Sequence, residues 1–175
     1  MSSISRIHQK RYDKTLAFMH KHLTQGSSIL DLGTPNPFTP QLTAAGYKVI
    51  NTAGENLDDD FQQYAAMTLD CVTAFEIFEH LFAPYNILKN IKSKRLIASV
   101  PLKLWFAEAY WNPNDDWDKH YHEFEVKQFD LLLEKTGWKI KDSALWTSPD
   151  PSKIGIRPML RYFVPRYYIV YCERT

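Results

Sequence analysis

Short apolar runs alternate with segments of helical periodicity along most of the chain, and this alternation restricts the fold more than any other feature. The predicted strands occupy residues 28–33, 47–50, 69–75, 95–102, 138–146 and 166–173. The predicted helices occupy residues 5–23, 38–45, 76–91 and 126–136. Strands that alternate with helices favour a mostly parallel sheet with helices on both faces, which is an α/β fold. Because the last two strands follow each other without a convincing helix, we expect them to form an antiparallel pair.

The length and composition suit one globular domain. With 175 residues, 45% of them hydrophobic and 23% charged, the chain can bury a sizeable core, and we expect residues 1–175 to form a single domain. Cys71 and Cys172 lie inside apolar runs and lack a CxxC spacing, which predicts buried thiols in a reducing compartment. The first residues show no apolar signal core and no run approaches membrane-spanning length, so we expect a cytoplasmic protein without a membrane partner.

Net charge and glycine usage disfavour several kinds of ligand. The formal net charge of +1 provides no bulk field for nucleic acid, so we expect no nucleic-acid partner. The six glycines are widely separated, and neither GxGxxG nor GxxxxGK[ST] can be written anywhere in the chain. Ordinary dinucleotide or nucleoside-triphosphate binding is therefore disfavoured.

A ligand of a parallel α/β sheet binds beyond the carboxyl ends of the strands. In this chain those ends lead into residues 31–38, 50–60, 75–80 and 101–122. Residues 105–122, here called the aromatic loop, are rich in aromatic, Asn, Asp and Pro residues and have no periodicity, which is typical of a functional or lid-like loop.

Four segments, in order, resemble the class I S-adenosylmethionine-dependent methyltransferases. These segments are ILDLG at 29–33, DCVTAFEIFEHL at 70–81, RLIASVPL at 95–102 and HEFEVKQFDLLLEKTGW at 122–138. The resemblance implies a Rossmann-like sheet of seven mostly parallel strands with an antiparallel last strand. It also implies S-adenosylmethionine as the cofactor and S-adenosylhomocysteine as the product.

The resemblance assigns the cofactor to the loops after the first strands, although two features depart from the family. Gly33 is followed by Thr34-Pro35-Asn36-Pro37 where the family continues with glycines, so Arg11, Tyr12 or the Asn36 N–H is left to hold the cofactor's carboxylate. Asn51-Thr52-Ala53 stands where the family has its ribose-binding acid, which leaves Glu55 as the nearest carboxylate. The implied third strand is compressed into about residues 61–68, and Asp58 or Asp60 is assigned to the adenine. The predicted cofactor-binding residues are Tyr12, Asp31, Gly33, Thr34, Pro35, Asn36, Glu55, Asp58, Phe75, Glu76 and Ile77.

Structural roles would explain some of these residues equally well. Asp31 and Gly33 suit a strand end followed by a turn, and Phe75 and Ile77 suit a core. Glu76 would be favoured as a carboxylate at a helix N-terminus.

Glu76, Glu79 and His80 stand at i, i+3 and i+4 and would share one helix face. With His122 or His120 they would form a set suited to zinc, manganese or magnesium. A similar set binds metal in the small-RNA 3′-terminal 2′-O-methyltransferases. Because Glu-x-x-Glu-His is widespread in this class without a metal, the interpretation without a divalent metal is favoured.

The aromatic loop carries the candidates for the acceptor side of the site. His120 and His122 are candidate general bases, with a pair of surface histidines as the alternative. Trp105 and Trp111 suit a substrate wall or a partner surface, or else core packing beneath the loop. Arg157, with Arg161 and Arg166 in a proline-rich segment, suits an anionic acceptor or a solvated face.

The sequence therefore predicts methyl transfer from S-adenosylmethionine to an O or N nucleophile of a small-molecule acceptor. A catalytically impaired homologue that binds a cofactor or a partner is the alternative, because the glycines and the ribose acid are missing. A metal-assisted RNA 2′-O-methyltransferase is a third interpretation, and the near-neutral charge speaks against it.

Overall fold

A computed structural model describes residues 6–174. Its strands are β1 (Ser28–Asp31), β2 (Lys48–Asn51), β3 (Cys71–Phe75), β4 (Arg95–Pro101), β5 (Lys139–Trp146) and β6 (Tyr167–Glu173). Its helices are α1 (Arg6–His22), α2 (Thr39–Ala44), α3 (Gln62–Ala65), α4 (Pro84–Asn90), α5 (Val126–Lys135) and α6 (Ile156–Leu160). The strands form one sheet in the order β2-β1-β3-β4-β6-β5. The first four strands are parallel, and β6 runs antiparallel to both β4 and β5.

The predicted mixed α/β fold and its antiparallel terminal pair are confirmed, whereas the seventh strand is not found in residues 6–174. The segment assigned to that strand forms the short helix α3, in which the Ala65 N–H donates to the Phe61 carbonyl at 2.8 Å. Residues 61–68 contain one β-branched residue, Thr68. Phe61 and Tyr64 suit a strand, but the glutamines and alanines between and after them favour a helix, so the local preference for a strand is weak. The sheet consequently ends at β2.

The single helix predicted over residues 76–91 is also wrong. Glu76 adopts a left-handed backbone with φ of 58°, a 3₁₀ turn follows at Phe78–His80, and α4 begins only at Pro84. Proline fixes its own φ and disfavours helical geometry at the preceding residue, so Pro84 starts a new helix and cannot lie inside one. Glu76, Glu79 and His80 therefore do not share a helix face.

Two apolar clusters cover the two faces of the sheet, as the strand alternation requires. On β4, Leu96 and Val100 belong to the cluster that also contains Phe129 of α5, whereas Ile97 belongs to the cluster that contains Met19 of α1. Cys71 and Cys172 are buried free thiols, as predicted, and burial raises the pKa of each to about 12. No helix within residues 6–174 is long and apolar enough to cross a membrane.

Arg174, which follows β6, forms hydrogen bonds with the C-terminal ends of α4 and α5. Its guanidinium donates to the carbonyls of Leu88 and Thr136 at 2.6 Å and of Ile91 at 2.7 Å, and lies 4.2 Å from the centre of the Trp138 ring. These carbonyls have no further helical partner, so the planar fork of donors satisfies several of them at once.

We expect Arg174→Lys to lower the free energy of unfolding by about 2 kcal/mol, because a single ammonium replaces a fork that reaches several carbonyls and stacks on an indole. Urea denaturation measures the change. The control is Arg157→Lys, which alters an exposed arginine of α6 and should change stability by less than about 0.5 kcal/mol. Equal stability of the two variants would contradict the assigned role.

Candidate functional site

A cavity of about 280 Å³ opens at the carboxyl ends of β1 and β3, next to α1. Eight predicted cofactor-binding residues line it: Tyr12, Asp31, Gly33, Thr34, Asn36, Phe75, Glu76 and Ile77. Arg11, Thr15, Leu32, Phe38 and Ser99 complete the wall. The structure therefore brings the segment after β1 and the segment after β3 together at the edge of the sheet where a ligand is expected.

The floor of the cavity is formed by Gly33, which is held in place by the end of β2. Gly33 has a φ of 127°, and its N–H donates to the Thr52 hydroxyl at 2.8 Å. The Asn51 side-chain amide donates to both the Asp31 carboxylate and the Gly33 carbonyl at 3.1 Å. A Cβ at residue 33 would stand 3.0 Å from Ile77 Cδ1 on a backbone that side chains rarely adopt, so glycine suits this position best.

Asp31 places a buried acidic group on the cavity wall. The residue is 4% exposed, and its carboxylate accepts hydrogen bonds from the Thr73 hydroxyl at 2.7 Å and from Asn51. Burial raises its pKa to about 7, although both hydrogen bonds oppose the shift. An adjacent cationic group would compensate the carboxylate, so this part of the wall suits an ammonium ligand.

Arg11 and Glu76 form an ion pair at another part of the wall. Arg11 Nη1 lies 3.4 Å from Glu76 Oε2, and the Ser99 hydroxyl donates to Glu76 Oε1 at 2.8 Å. The Arg11 guanidinium also lies 5.8 Å from the centre of the Tyr12 ring and 5.3 Å from that of Tyr167. The strained backbone of Glu76 points to a position held for function, and the Arg11 fork has donors that suit a carboxylate.

Three predicted cofactor residues, Pro35, Glu55 and Asp58, do not line the cavity. Glu55 accepts hydrogen bonds from the Tyr64 hydroxyl at 2.5 Å and the Ala53 N–H at 2.9 Å, and these bonds lower its pKa. Both carboxylate oxygens of Asp58 accept N–H groups, from residues 82 and 83, just before α4. Their assignment to ribose and adenine stays a prediction.

The aromatic loop contacts the 3₁₀ turn through its backbone. The N–H groups of Tyr121 and His122 both donate to the Glu79 carbonyl, at 2.8 and 3.2 Å. The Nε2 atom of His122 lies 3.3 Å from the Phe82 carbonyl. Burial lowers the pKa of the His120 imidazole to about 4. Neither histidine lines the cavity, so their role as general bases stays a prediction.

The tryptophan side chains of this loop are solvent-exposed. Trp105 is 75% exposed and Trp111 is 56% exposed, which contradicts the alternative of core packing beneath the loop. Arg157 is exposed and lines a separate cavity with Lys153 and Arg161. Trp105, Trp111 and Arg157, the predicted acceptor residues, therefore do not line the cavity that holds the cofactor candidates.

Glu79, His80 and His120 each offer a ligand atom, and these atoms lie within 4.8 Å of one another. The cluster differs from the set predicted with His122, because it includes neither Glu76 nor His122. Helical spacing misplaced Glu76, whose side chain instead contacts Arg11.

Sequence reasoning missed several contributors to the cavity and its support. Ser99 was visible as a polar residue within the apolar run of β4, a pattern that often marks a buried polar contact. Asn51 and Thr52 were interpreted only as the loss of an acid, whereas they hold the loop after β1.

No protein-family model matches the chain, and no curated protein matches it in sequence. Solved structures match it at low identity. A SAM-dependent methyltransferase from Archaeoglobus fulgidus has 14% identity and a TM-score of 0.63, with 95% of this chain and 94% of that chain covered. A SAM-dependent methyltransferase from Methanosarcina mazei has 12% identity and a TM-score of 0.62, with coverages of 90% and 96%.

The magnesium protoporphyrin IX methyltransferase from Synechocystis, solved with bound S-adenosylhomocysteine, has 12% identity and a TM-score of 0.57, with 100% of this chain and 90% of that chain covered. These proteins share with the chain nearly its whole length, and the resemblance seen in the sequence motifs agrees with them. The chain has the class I S-adenosylmethionine-dependent methyltransferase fold.

Proposed function

We propose that the protein transfers a methyl group from S-adenosylmethionine to an O or N nucleophile of a small-molecule acceptor. The observation that carries this proposal is the cavity whose wall holds both a buried carboxylate, Asp31, and a guanidinium, Arg11. The amino-acid end of S-adenosylmethionine has one ammonium and one carboxylate, which match these two charges. Gly33 is a further fit, because a side chain on this wall would crowd Ile77, which also lines the cavity.

The cofactor, when bound, supplies a methyl group on an electrophilic sulfonium. Asp31 would hold the ammonium, Arg11 with Tyr12 would hold the carboxylate, and Phe75 with Ile77 would pack on the methionine side chain and exclude water. In-line displacement depends mainly on placing the nucleophile near the methyl group, so few catalytic side chains are needed. The cavity residues therefore act by binding and orientation.

The alternative is a homologue that binds the cofactor or a partner without turnover. One observation favours this alternative. The Gly33 N–H donates to the Thr52 hydroxyl, and the Asn51 amide donates to the Gly33 carbonyl. The residues that stand in place of the family's ribose-binding acid therefore already bind the backbone of this loop. The third interpretation, RNA methylation, has no support from the net charge of +1.

Titration calorimetry with S-adenosylhomocysteine tests the cofactor. We expect Arg11→Met to weaken binding by about tenfold to a hundredfold, because a charge-assisted contact to the ligand carboxylate is lost. Lys14→Met is the matched control, since Lys14 lies on the same helix but contacts the Trp146 ring outside the cavity. Its affinity should remain within about twofold of the parent.

A second measurement separates the two candidate functions. Transfer of a labelled methyl group to a panel of hydroxyl, amine and carboxylate acceptors supports the proposed activity, whereas tight binding without transfer to any acceptor supports the alternative. An absence of binding heat for both S-adenosylmethionine and S-adenosylhomocysteine contradicts the proposed activity and the cofactor-binding form of the alternative, and leaves only its partner-binding form.

A further inference from the structure

The Glu79 carboxylate is buried without hydrogen-bond partners. The residue is 0% exposed, and neither side-chain oxygen has a hydrogen-bond partner within residues 6–174. An ionised carboxylate in this position is costly, and a neutral carboxyl group would still leave a donor and acceptors unpaired. Arg11 and Arg166 attract a negative charge on Glu79 from a distance, but Arg11 pairs directly with Glu76, and neither guanidinium donates a hydrogen bond to Glu79.

Two imidazoles face this carboxylate. His80 Nδ1 lies 3.0 Å from the Lys119 carbonyl, which can only accept, so Nδ1 carries the proton and Nε2 carries the lone pair. That Nε2 atom lies 3.8 Å from Glu79 Oε1, which is too long for a hydrogen bond. The backbone carbonyl thus orients His80 as such carbonyls orient metal-binding histidines.

His120 completes the group from the aromatic loop. Its ring centre lies 4.9 Å from that of His80, and its Nδ1 is buried without a hydrogen-bond partner among the described residues. The nearest acid on its own segment is Glu123, whose Oε1 lies 3.5 Å from His120 Nδ1. Glu79 and His120 therefore both carry buried, unsatisfied polar atoms, and Glu79, His80 and His120 each offer a ligand atom within 4.8 Å of the others.

We propose that Glu79, His80 and His120 bind a divalent cation, and that Zn²⁺ is the ion that matches them best. One carboxylate and two imidazoles are zinc ligands, whereas Mg²⁺ and Ca²⁺ prefer sites built of oxygen atoms. Three protein ligands leave a fourth position for water or another ligand. This inference does not depend on the proposed methyl transfer, because it rests on residues outside the 280 Å³ cavity.

The ion would fasten the aromatic loop to the sheet. Glu79 and His80 belong to the 3₁₀ turn after β3, and His120 belongs to the loop, whose N–H groups at residues 121 and 122 already donate to the Glu79 carbonyl. A metal ligand from each segment would add a second link beside these backbone bonds. Metal binding should therefore raise the melting temperature.

Calorimetric titration of chelator-treated protein with ZnCl₂ tests the site. We expect one zinc ion per chain and a rise in melting temperature. Glu79→Gln, His80→Asn and His120→Asn should each weaken zinc binding at least about a hundredfold, which exceeds the usual effect of removing a residue that only supports a ligand. The matched control is His122→Asn, two residues along the same loop and outside the cluster, which should bind zinc like the parent.

The zinc-free variants guard against a folding defect. Glu79→Gln keeps the side-chain volume and removes a buried carboxyl, so its zinc-free melting temperature should not fall; if that variant does not fold, His80→Asn and His120→Asn carry the test. The proposal is overturned if the parent binds no zinc, if the three variants keep stoichiometric zinc, or if His122→Asn loses zinc as fully as His120→Asn. Zinc binding with no S-adenosylhomocysteine binding would contradict only the proposed function.

Discussion

Gly33→Val is expected to abolish S-adenosylhomocysteine binding, with a loss of affinity of at least about a hundredfold. Residue 33 has a φ of 127°, where a β-branched residue is strained, and its Cβ would stand only 3.0 Å from Ile77 Cδ1. The two methyl groups of valine add further bulk beside Ile77, and both residues line the cavity. Calorimetric titration of the variant measures the loss directly.

Gly26→Val is the control that separates the effect of a filled cavity from the effect of a strained backbone. Gly26 has a φ of 85° and precedes β1, but a Cβ there meets no atom within 4 Å. The control therefore carries a comparable backbone strain of about 1–3 kcal/mol while it leaves the cavity unchanged. We expect it to unfold more easily and to bind S-adenosylhomocysteine like the parent. Unchanged binding by Gly33→Val, or an equal loss in both variants, would count against the site.

The sequence predicts the centre of this fold because its signals there are strong and local. Buried parallel strands are short apolar runs, and the turn after such a run places Asp31 and Gly33 at the sheet edge without further information. The motif around Phe75 and Glu76 follows the neighbouring strand, so topology alone brings the two segments together. The sequence therefore predicts which two loops, those after β1 and β3, form the cavity.

The periphery was not predictable in the same way, because its geometry depends on tertiary contacts. Apolar spacing over residues 76–91 indicates a helix, yet Pro84 and the left-handed Glu76 divide it. His120 lies 40 residues after His80, and only the docking of the aromatic loop on the Glu79 carbonyl joins them. Asp58 was assigned to the adenine from its position in the sequence, whereas in the structure its carboxylate accepts two N–H groups that precede α4.

The second large expected effect is a fall in stability between pH 4 and pH 8 that depends on Asp31. Its pKa of about 7 in the folded protein exceeds the ordinary value of 3.8, so the folded state holds a proton that the unfolded state has released. The contribution of Asp31 to stability is therefore complete below pH 4 and is lost as the pH rises through 7. The difference between the two pKa values corresponds to about 4 kcal/mol.

Asp31→Asn should flatten this dependence, because an amide does not titrate. Urea unfolding of the parent and the variant at several pH values measures it, and the difference between the two proteins cancels the contributions of Glu76 and Glu79, whose pKa values burial also raises. Asp70→Asn is the control: the Ser28 N–H and hydroxyl lower the pKa of Asp70, so that residue does not titrate between pH 5 and 8. Parallel curves for the parent and Asp31→Asn would contradict the assignment. Saturating S-adenosylhomocysteine should shrink the difference, because an ammonium beside Asp31 favours the ionised carboxylate in the folded state.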